Sequence, residues 1–296
     1  MRQVLLLVAA VLIAPRVATA QDPAAVPDSA AAPTDWATEL VGRIAVTQAG
    51  YSNWAKGGIN SVAVSSGLGG AFDRTTPGWI QEHEFKLALG VVKQDTLEFQ
   101  KADDEIMTSS ALQYRGGGFF RLFNPTFALQ TRTQFAPGFN YKKNPFEDGR
   151  EPPVKVSDFF SPAVFTQTLG LTYSPSPWFT QRFGVASKQT IVLIERFRSL
   201  YGVPESSPGL VEVGFESRTQ VDREVFENVR LKSSLGLFAA FNKPDMPDLM
   251  WENLIEMKVN AWLGVNVQLD LLYDRDISNA LQVKEVFTLG ITYAFL

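Results

Sequence analysis

Apolar and polar residues alternate along most of this chain. Near its end, Phe287, Leu289, Ile291, Tyr293 and Phe295 occupy every second position, with small or weakly polar residues between them. Successive side chains of a β-strand point to opposite faces, so this spacing predicts a strand with one apolar face. The pattern therefore favours a β-protein.

The longest unbroken alternation covers residues 255–273, where every odd position is apolar or aromatic. A membrane-spanning strand needs only about ten residues, so this run predicts two strands joined by a tight turn near Asn260. Similar alternation recurs back to Glu39 and predicts about twelve strands. The sequence thus indicates an all-β protein whose strands form an antiparallel barrel.

Alternation by itself does not show whether the apolar face points to lipid or to a closed interior. One parity stays polar in strand after strand and carries charges, which suits the wet lumen of a transmembrane barrel. Tryptophan and tyrosine lie near the predicted strand ends, as in membrane aromatic girdles. Long and short connections also alternate, which is typical of an outer-membrane β-barrel with long outer loops and short periplasmic turns.

The charged residues of the polar parity are the candidate lumen residues, namely Lys86, Arg132, Glu216, Arg218 and Asp270. Two interpretations stay open. These side chains line a selective pathway, or they pair across a narrow lumen, for example Glu216 or Arg218 with Asp270. Small barrels fill their interiors, and open channels need about sixteen strands, so twelve strands do not decide between the two.

The beginning of the chain predicts export. Residues 1–20 have a basic start, an apolar run and a small-residue site ending at Ala20, the features of a cleaved signal peptide. Residues 21–38 are rich in Ala and Pro and predict a disordered periplasmic linker, followed by the barrel at 39–296. The expected location is the cell outer membrane.

Composition excludes several protein classes. The absence of cysteine excludes a lipoprotein anchor and a disulfide scaffold. Cleavage of the predicted signal peptide removes Arg2 and Arg16 and changes the formal net charge from -4 to about −6. A mildly acidic exported chain argues against a nucleic-acid partner.

Short motifs along the chain carry a family resemblance. They are YSNWAKGGINS at 51–61, KADD at 101–104, RTQFAPGFNY at 132–141, SDFFSPA at 157–163, YGV at 201–203, ENV at 227–229, MWENLIEMKVN at 250–260, YD at 273–274 and YAF at 293–295. In this order they resemble the bacterial outer-membrane barrel family called domain of unknown function 3078, over about residues 39–296. The resemblance implies a barrel of unassigned activity and carries over no catalytic residue.

The first motif contains a candidate outer-loop element, Asn53, Trp54, Gly57 and Gly58. This loop either faces a ligand on the outer surface or has a structural role. In the structural interpretation, the glycines supply a turn and the tryptophan anchors the rim in the lipid headgroups.

The sequence predicts neither a metal site nor a cofactor. Acidic residues gather near the predicted outer rim, at Asp103, Asp104, Glu105, Asp274 and Asp276. Carboxylates there could bind a divalent cation, but their spacing matches no EF-hand loop, and acidic residues on loops are usually solvated.

Catalytic residues are not predicted either. His83 is the only histidine, and Phe85 stands two positions later, where barrel lipases place a serine. A serine triad needs an imidazole base beside the nucleophile, and no serine lies near His83 in the sequence. An enzyme acting on lipid therefore stays a minor hypothesis.

Two other functional hypotheses remain. The barrel is a passive conduit or binding barrel for a small or amphipathic molecule, or it is a closed structural barrel whose outer loops contact envelope components. The long loop 138–156 could enter the lumen, bind a surface partner or simply be solvated. The expected partners are outer-membrane lipid and lipopolysaccharide, and the barrel-assembly machinery through the C-terminal strand. The small-molecule ligand is not identified by the sequence.

Overall fold

The computed structural model describes residues 35–49, 60–94, 97–146 and 148–295. Its strands are β1 Ala37–Ala49, β2 Ser61–Thr75, β3 Trp79–Gln94, β4 Gln100–Tyr114, β5 Phe123–Thr133, β6 Gly138–Asn140, β7 Val154–Ser157, β8 Ala163–Ser176, β9 Phe179–Ile191, β10 Gly209–Phe226, β11 Val229–Ala240, β12 Asp248–Lys258, β13 Leu263–Tyr273 and β14 Gln282–Ala294. Two short 3₁₀ helices cover Gly118–Arg121 and Glu195–Tyr201.

Twelve of these strands form a closed antiparallel barrel. Strands adjacent in the sequence pair throughout, except that β5 pairs with β8 because β6 and β7 form a separate two-stranded sheet in the outer loop between them. The barrel closes where β14 pairs with β1, from Val41 opposite Ala294 to Ile44 opposite Ile291. The prediction of an antiparallel barrel of about twelve strands is confirmed.

The apolar parity of the strands faces outwards. Leu169 and Phe287 are each 70% exposed and Val211 is 66% exposed, although each lies within a barrel strand. Such a continuous apolar surface would be unstable in water and is covered by the hydrocarbon of a bilayer. The barrel is therefore of the outer-membrane type, with its polar parity around the lumen.

The described part of the chain contains no helix that is both long and apolar enough to cross a membrane.

The connections differ in length at the two ends of the barrel. The predicted tight turn near Asn260 is present between β12 and β13, and β10 and β11 are joined through Asn228, whose φ is 61°. The connections at the other end are longer and include residues 134–162 and 192–208. The first strand begins at Ala37, two residues before the predicted start of the barrel.

Glycines bring three neighbouring strands close together. Gly170 on β8 lies opposite Gly184 on β9, and a Cβ atom added to Gly170 would lie 2.1 Å from the carbonyl oxygen of Phe183. No larger residue fits this backbone. Because Gly184 on β9 has no side chain, the Thr168 hydroxyl of β8 can donate to the Glu216 carboxylate of β10 across the intervening strand.

The two longest outer connections pack against each other. We call residues 134–162 and 192–208 the outer cap. Val192, Phe197 and Val203 are buried within it and form a small apolar core. The core residues belong to residues 192–208 and Phe146 of the other connection packs against them, whereas most of the described residues in 138–156 are exposed or half-buried.

Polar contacts strengthen this cap. The Arg196 guanidinium lies 4.0 Å from the centre of the Phe146 ring, and the Tyr201 hydroxyl donates to the Val156 carbonyl at 3.1 Å. Burial raises the pKa of Tyr201. The hydrogen bond from Lys155 lowers the pKa of Asp158 within the same cap.

Candidate functional site

All five predicted lumen residues point into the barrel, as the strand registers show. Lys86 on β3 and Arg132 on β5 both lie opposite Met107, which is on β4 between them. Glu216 on β10 lies opposite Gly184 on β9. Arg218 is next to Arg182 across the β9–β10 pair, and Asp270 is next to Lys284 across the β13–β14 pair. Their side chains are therefore on the face opposite to the exposed apolar residues.

An ion pair joins opposite walls in the outer half of the lumen, the half nearer the long loops. The Arg132 guanidinium on β5 lies 2.7 Å from Glu252 on β12, and four strands separate β5 from β12 along the shorter way round the barrel. Arg132 also lies 3.2 Å from Glu105, and Lys86 lies 2.7 Å from the other oxygen of that carboxylate. Arg132 thus links Glu105 on β4 and Lys86 on β3 to the opposite wall of the lumen.

Other pairs span the same half. Lys284 on β14 lies 2.7 Å from Asp103 on β4, with three strands between them. Lys188 on β9 pairs with Asp248 on β12 and lies 3.2 Å from Glu212. The outer half of the lumen is therefore crossed by charged side chains at several places.

Each acidic residue of the predicted outer rim has a basic neighbour. The pairs are Asp103 with Lys284, Asp104 with Lys101, Glu105 with Lys86 and Arg132, Asp274 with Lys188, and Asp276 with Lys243. Within the described ranges, no group of three or more His, Cys, Asp or Glu residues is arranged to hold a metal ion.

The predicted pairing of Glu216 or Arg218 with Asp270 is wrong. Arg218 lies 3.4 Å from Glu216 on its own strand and donates to Gln130 across the lumen. Asp270 accepts a hydrogen bond from Gln268, and its nearest cation is Lys284 at 4.0 Å. The strand register explains this, because Lys284 is directly opposite Asp270 on β14.

The inner half of the lumen is the half nearer the periplasmic turns. Its two facing walls carry charges of opposite sign. The acid wall consists of Glu39, Asp73, Glu82 and Glu84 on β1 to β3, and the basic wall consists of Arg182, Arg218, Arg230 and Lys232 on β9 to β11. Electrostatic interactions link Arg182 with Glu82 and Glu84. The two walls face each other.

The ion pairs of the basic wall lie on its own side of the lumen. Arg218 pairs with Glu216, Arg230 lies 2.5 Å from Asp222, and Lys232 lies 3.1 Å from Glu256 on the next strand. Among the residues that the structure describes, no ion pair joins the basic wall to the acid wall. The inner half is nevertheless crossed at one place, because Arg43 on β1 pairs with Glu256 on β12, with β13 and β14 between them.

Sequence analysis did not identify Arg182. This residue is 9% exposed, and its buried Nε atom has no hydrogen-bond partner within the described chain. The signal was present, because Arg182 shares the inward parity with Lys188, whereas Phe183 and Val185 hold the outward parity. The alternation of this strand was weak, since Gly184 and Ala186 replace larger polar residues on the inward face.

His83 has a serine beside it in space, although none is near it in the sequence. Its Nδ1 atom lies 3.0 Å from the Ser110 hydroxyl, because the two residues are directly opposite each other on β3 and β4. The pair lies on the outward face with Trp36, whose ring centre is 5.7 Å from the imidazole. In the described structure no carboxylate bonds to His83, so the third group of a triad is missing there.

Three of the family motifs meet at the outer end of β4 and β5. Lys101 lies 3.0 Å from Asp104 and donates to the side chain of Gln134 at 3.1 Å. The backbone N–H groups of Phe135 and Ala136 donate to the Asp104 carboxylate at 2.7 and 2.9 Å. Gln134 in turn donates to the backbone of the SDFFSPA motif. These motif residues anchor the outer cap to the barrel rim from its outward face.

The Asn53, Trp54, Gly57 and Gly58 element lies outside the described residues.

The fold and its exposed apolar surface define the class of protein, an outer-membrane β-barrel. Residues 46–139 match the model of a family described as "Protein of unknown function (DUF3078)". This match confirms the resemblance over residues 46–139, which contain YSNWAKGGINS, KADD and the first eight residues of RTQFAPGFNY.

The solved structures that match this chain include the following three. The translocator domain of autotransporter NalP from Neisseria meningitidis is 7% identical, with 90% of this chain and 89% of that chain covered and a TM-score of 0.37. The COG4313 outer membrane channel from Pseudomonas putida F1 is 14% identical, with 92% and 99% covered and a TM-score of 0.37. OmpF of Salmonella typhi, in complex with daunomycin, is 8% identical, with 88% and 96% covered and a TM-score of 0.26. No curated protein matches the chain.

Proposed function

We propose that this barrel is a conduit for small polar solutes, narrowed in the outer half of its lumen by ion pairs between opposite walls. The observation that carries the proposal is the contact of 2.7 Å between Arg132 on β5 and Glu252 on β12. This contact spans the lumen between strands that four others separate, whereas no ion pair within the described chain joins the acid wall to the basic wall of the inner half. The lumen is thus a vestibule on the periplasmic side and a charged constriction on the outer side.

The constriction consists of side chains that water reaches. The side chains of Arg132 and Glu252 are 28% and 22% exposed. An ion pair in such a setting contributes only about 1 kcal/mol or less, so thermal motion breaks and reforms it. A solute with charges of its own can replace these contacts one at a time as it passes.

The charged composition of the lumen supports a wet interior over a packed plug. A charge that is buried away from water is costly unless it is paired and hydrogen-bonded. The inner half contains Glu84, which has no hydrogen bond or ion pair within the described chain, and Arg182, whose Nε atom has no partner. Water in the lumen lowers the cost of keeping both charges.

The proposal predicts that Glu252→Gln increases conductance. The substitution removes the far-wall anchor of Arg132 but leaves Arg132 paired with Glu105 on its own side. We expect the mean single-channel current of refolded protein in a planar bilayer to rise on the order of twofold, because a pair of this strength already opens transiently. Folding is checked in the same samples by heat-modifiable gel mobility.

The matched control is Asp222→Asn. It also removes one negative charge from the lumen, but it breaks the contact with Arg230 on the neighbouring strand and leaves the contact across the lumen in place. Its current should equal that of the unmodified protein. If the unmodified protein and the Glu252→Gln variant are both folded and both silent, the conduit is wrong, and the closed barrel that acts through its outer cap becomes the better explanation.

A further inference from the structure

Arg182 is the one base of the basic wall without a carboxylate partner in the described structure. Arg218, Arg230 and Lys232 each have one on their own side of the lumen. Arg182 forms no ion pair there, although it interacts electrostatically with Glu216 on the next strand, and it is 9% exposed with an unpartnered Nε atom. A guanidinium held in this way is not needed to balance the wall on which it lies.

The neighbour of Arg182 makes its position more unusual. Arg218 is its cross-strand partner in the β9–β10 register, so two guanidinium groups lie side by side on the lumen face. Like charges directly opposite each other on a sheet are destabilising. An anion that binds between them would relieve this repulsion and receive charge-assisted hydrogen bonds from planar donors.

The opposite wall has the complementary property. Glu84 has no hydrogen bond or ion pair within the described ranges, and it interacts electrostatically with Asp73 of the same wall and, across the lumen, with Lys232 and Arg218. Glu82 is beside Glu84 on β3 and accepts a hydrogen bond only from the neutral amide of Gln113, at 2.8 Å. These carboxylates attract a cationic group on a solute in the lumen.

We infer that the inner half of the lumen binds a small zwitterion, with its anionic group at Arg182 and Arg218 and its ammonium group at Glu84 and Glu82. A simple anion would be repelled by the acid wall, and a simple cation would be repelled by the paired guanidinium groups. A solute with both charges satisfies both walls at once. As a transport site this assignment rests on the proposed conduit, whereas the binding itself does not.

The assignment predicts which solutes bind to the refolded full-length protein in detergent micelles. The probes are the ω-amino acids from glycine to ε-aminocaproate, each compared with the carboxylic acid and the amine of the same chain length. We expect the best-fitting amino acid to bind about tenfold more tightly than either matched compound, since it makes charge-assisted contacts with both walls. Isothermal titration calorimetry measures the affinities.

Three variants locate the site. Arg182→Gln and Glu84→Gln should each weaken binding of that amino acid about tenfold. Arg115→Gln removes one positive charge from the periplasmic turn after β4, where Arg115 donates to the Thr76 carbonyl, and should leave binding unchanged. Equal binding by the acid alone, unchanged binding in Arg182→Gln, or no binding of any probe to folded protein would each overturn the inference.

Thermal unfolding separates a binding role of Arg182 from a structural one. Removing an unpartnered charge beside Arg218 should leave the unfolding temperature of the free protein unchanged or raise it. A clear decrease would show that Arg182 stabilises the empty barrel, and the assignment would then be wrong. Binding without bilayer current would contradict the conduit and preserve the site, whereas current without binding would contradict the site and preserve the conduit.

Discussion

At the scale of single residues, Asp104 shows how the structure uses a charge outside the lumen. Its side chain is only 1% exposed, and it accepts hydrogen bonds from two consecutive backbone N–H groups as well as from Lys101. It belongs to the outward parity of β4, where most residues face lipid. The outer cap covers this end of the strand, so the carboxylate is shielded from both lipid and water.

We predict that Asp104→Asn destabilises the folded barrel by about 2 kcal/mol, because one acceptor oxygen is replaced by a donor that faces a backbone N–H. Urea unfolding in micelles gives the change in free energy, and limited proteolysis should show faster cleavage after Phe135. The control is Asp103→Asn, the next residue, which pairs with half-exposed Lys284 in the lumen. Its cost should be about 1 kcal/mol or less. Equal costs for the two variants would contradict the anchoring role.

At the scale of elements, the seam between β14 and β1 completes the barrel. Its register covers four residue pairs, whereas β1 pairs with β2 over the full length of β1. The N–H of Phe295 donates to the Leu40 carbonyl at 2.8 Å, and the Phe295 ring lies against Gly42, where a Cβ atom would be 2.9 Å away. The last aromatic residue therefore packs on the first strand, at the point where the sheet closes.

A substitution at the seam distinguishes an effect on folding stability from an effect on assembly in the membrane. Phe295 is 56% exposed, and in a bilayer its ring exchanges protein contacts for equally apolar lipid. We expect Phe295→Ala to change unfolding in micelles by about 1 kcal/mol or less, but to reduce the amount of barrel in the outer membrane of cells if the assembly machinery reads this residue. Phe287→Ala, an exposed aromatic residue of the same parity within β14, is the control. Equal membrane levels of the two variants would refute the predicted recognition of the C-terminal strand.

At the scale of the whole molecule, tryptophan residues lie at the two ends of the apolar surface. Those at the periplasmic end are Trp36, Trp79, Trp178 and Trp262, and Trp251 lies near the outer end of β12. All five are between 40% and 56% exposed. Amphipathic rings in these positions suit the lipid headgroup region on each side of the bilayer.

This arrangement predicts a depth-dependent quenching of fluorescence in liposomes. Phosphatidylcholine brominated near the headgroup end of its acyl chains should quench tryptophan emission more strongly than lipid brominated near the methyl end. Protein left in detergent gives the unquenched reference. Stronger quenching by the deep bromine atoms would contradict the position of the barrel in the bilayer that we infer from its exposed residues.

The sequence by itself indicated about twelve barrel strands, their antiparallel arrangement and the face on which the five candidate lumen charges lie. The alternation alone identified the five lumen candidates, Lys86, Arg132, Glu216, Arg218 and Asp270. This was possible because the facing of a strand residue depends only on the local period of two.

Only the tertiary structure decided which of these residues meet. The contact of Arg132 with Glu252, the missing partner of Arg182 and the closeness of His83 to Ser110 all depend on strand register. Register and closure bring together residues that are tens to hundreds of positions apart, through backbone pairing that the alternation of a single strand does not encode. The acidic and basic walls of the lumen are therefore a property of the closed barrel and of no segment within it.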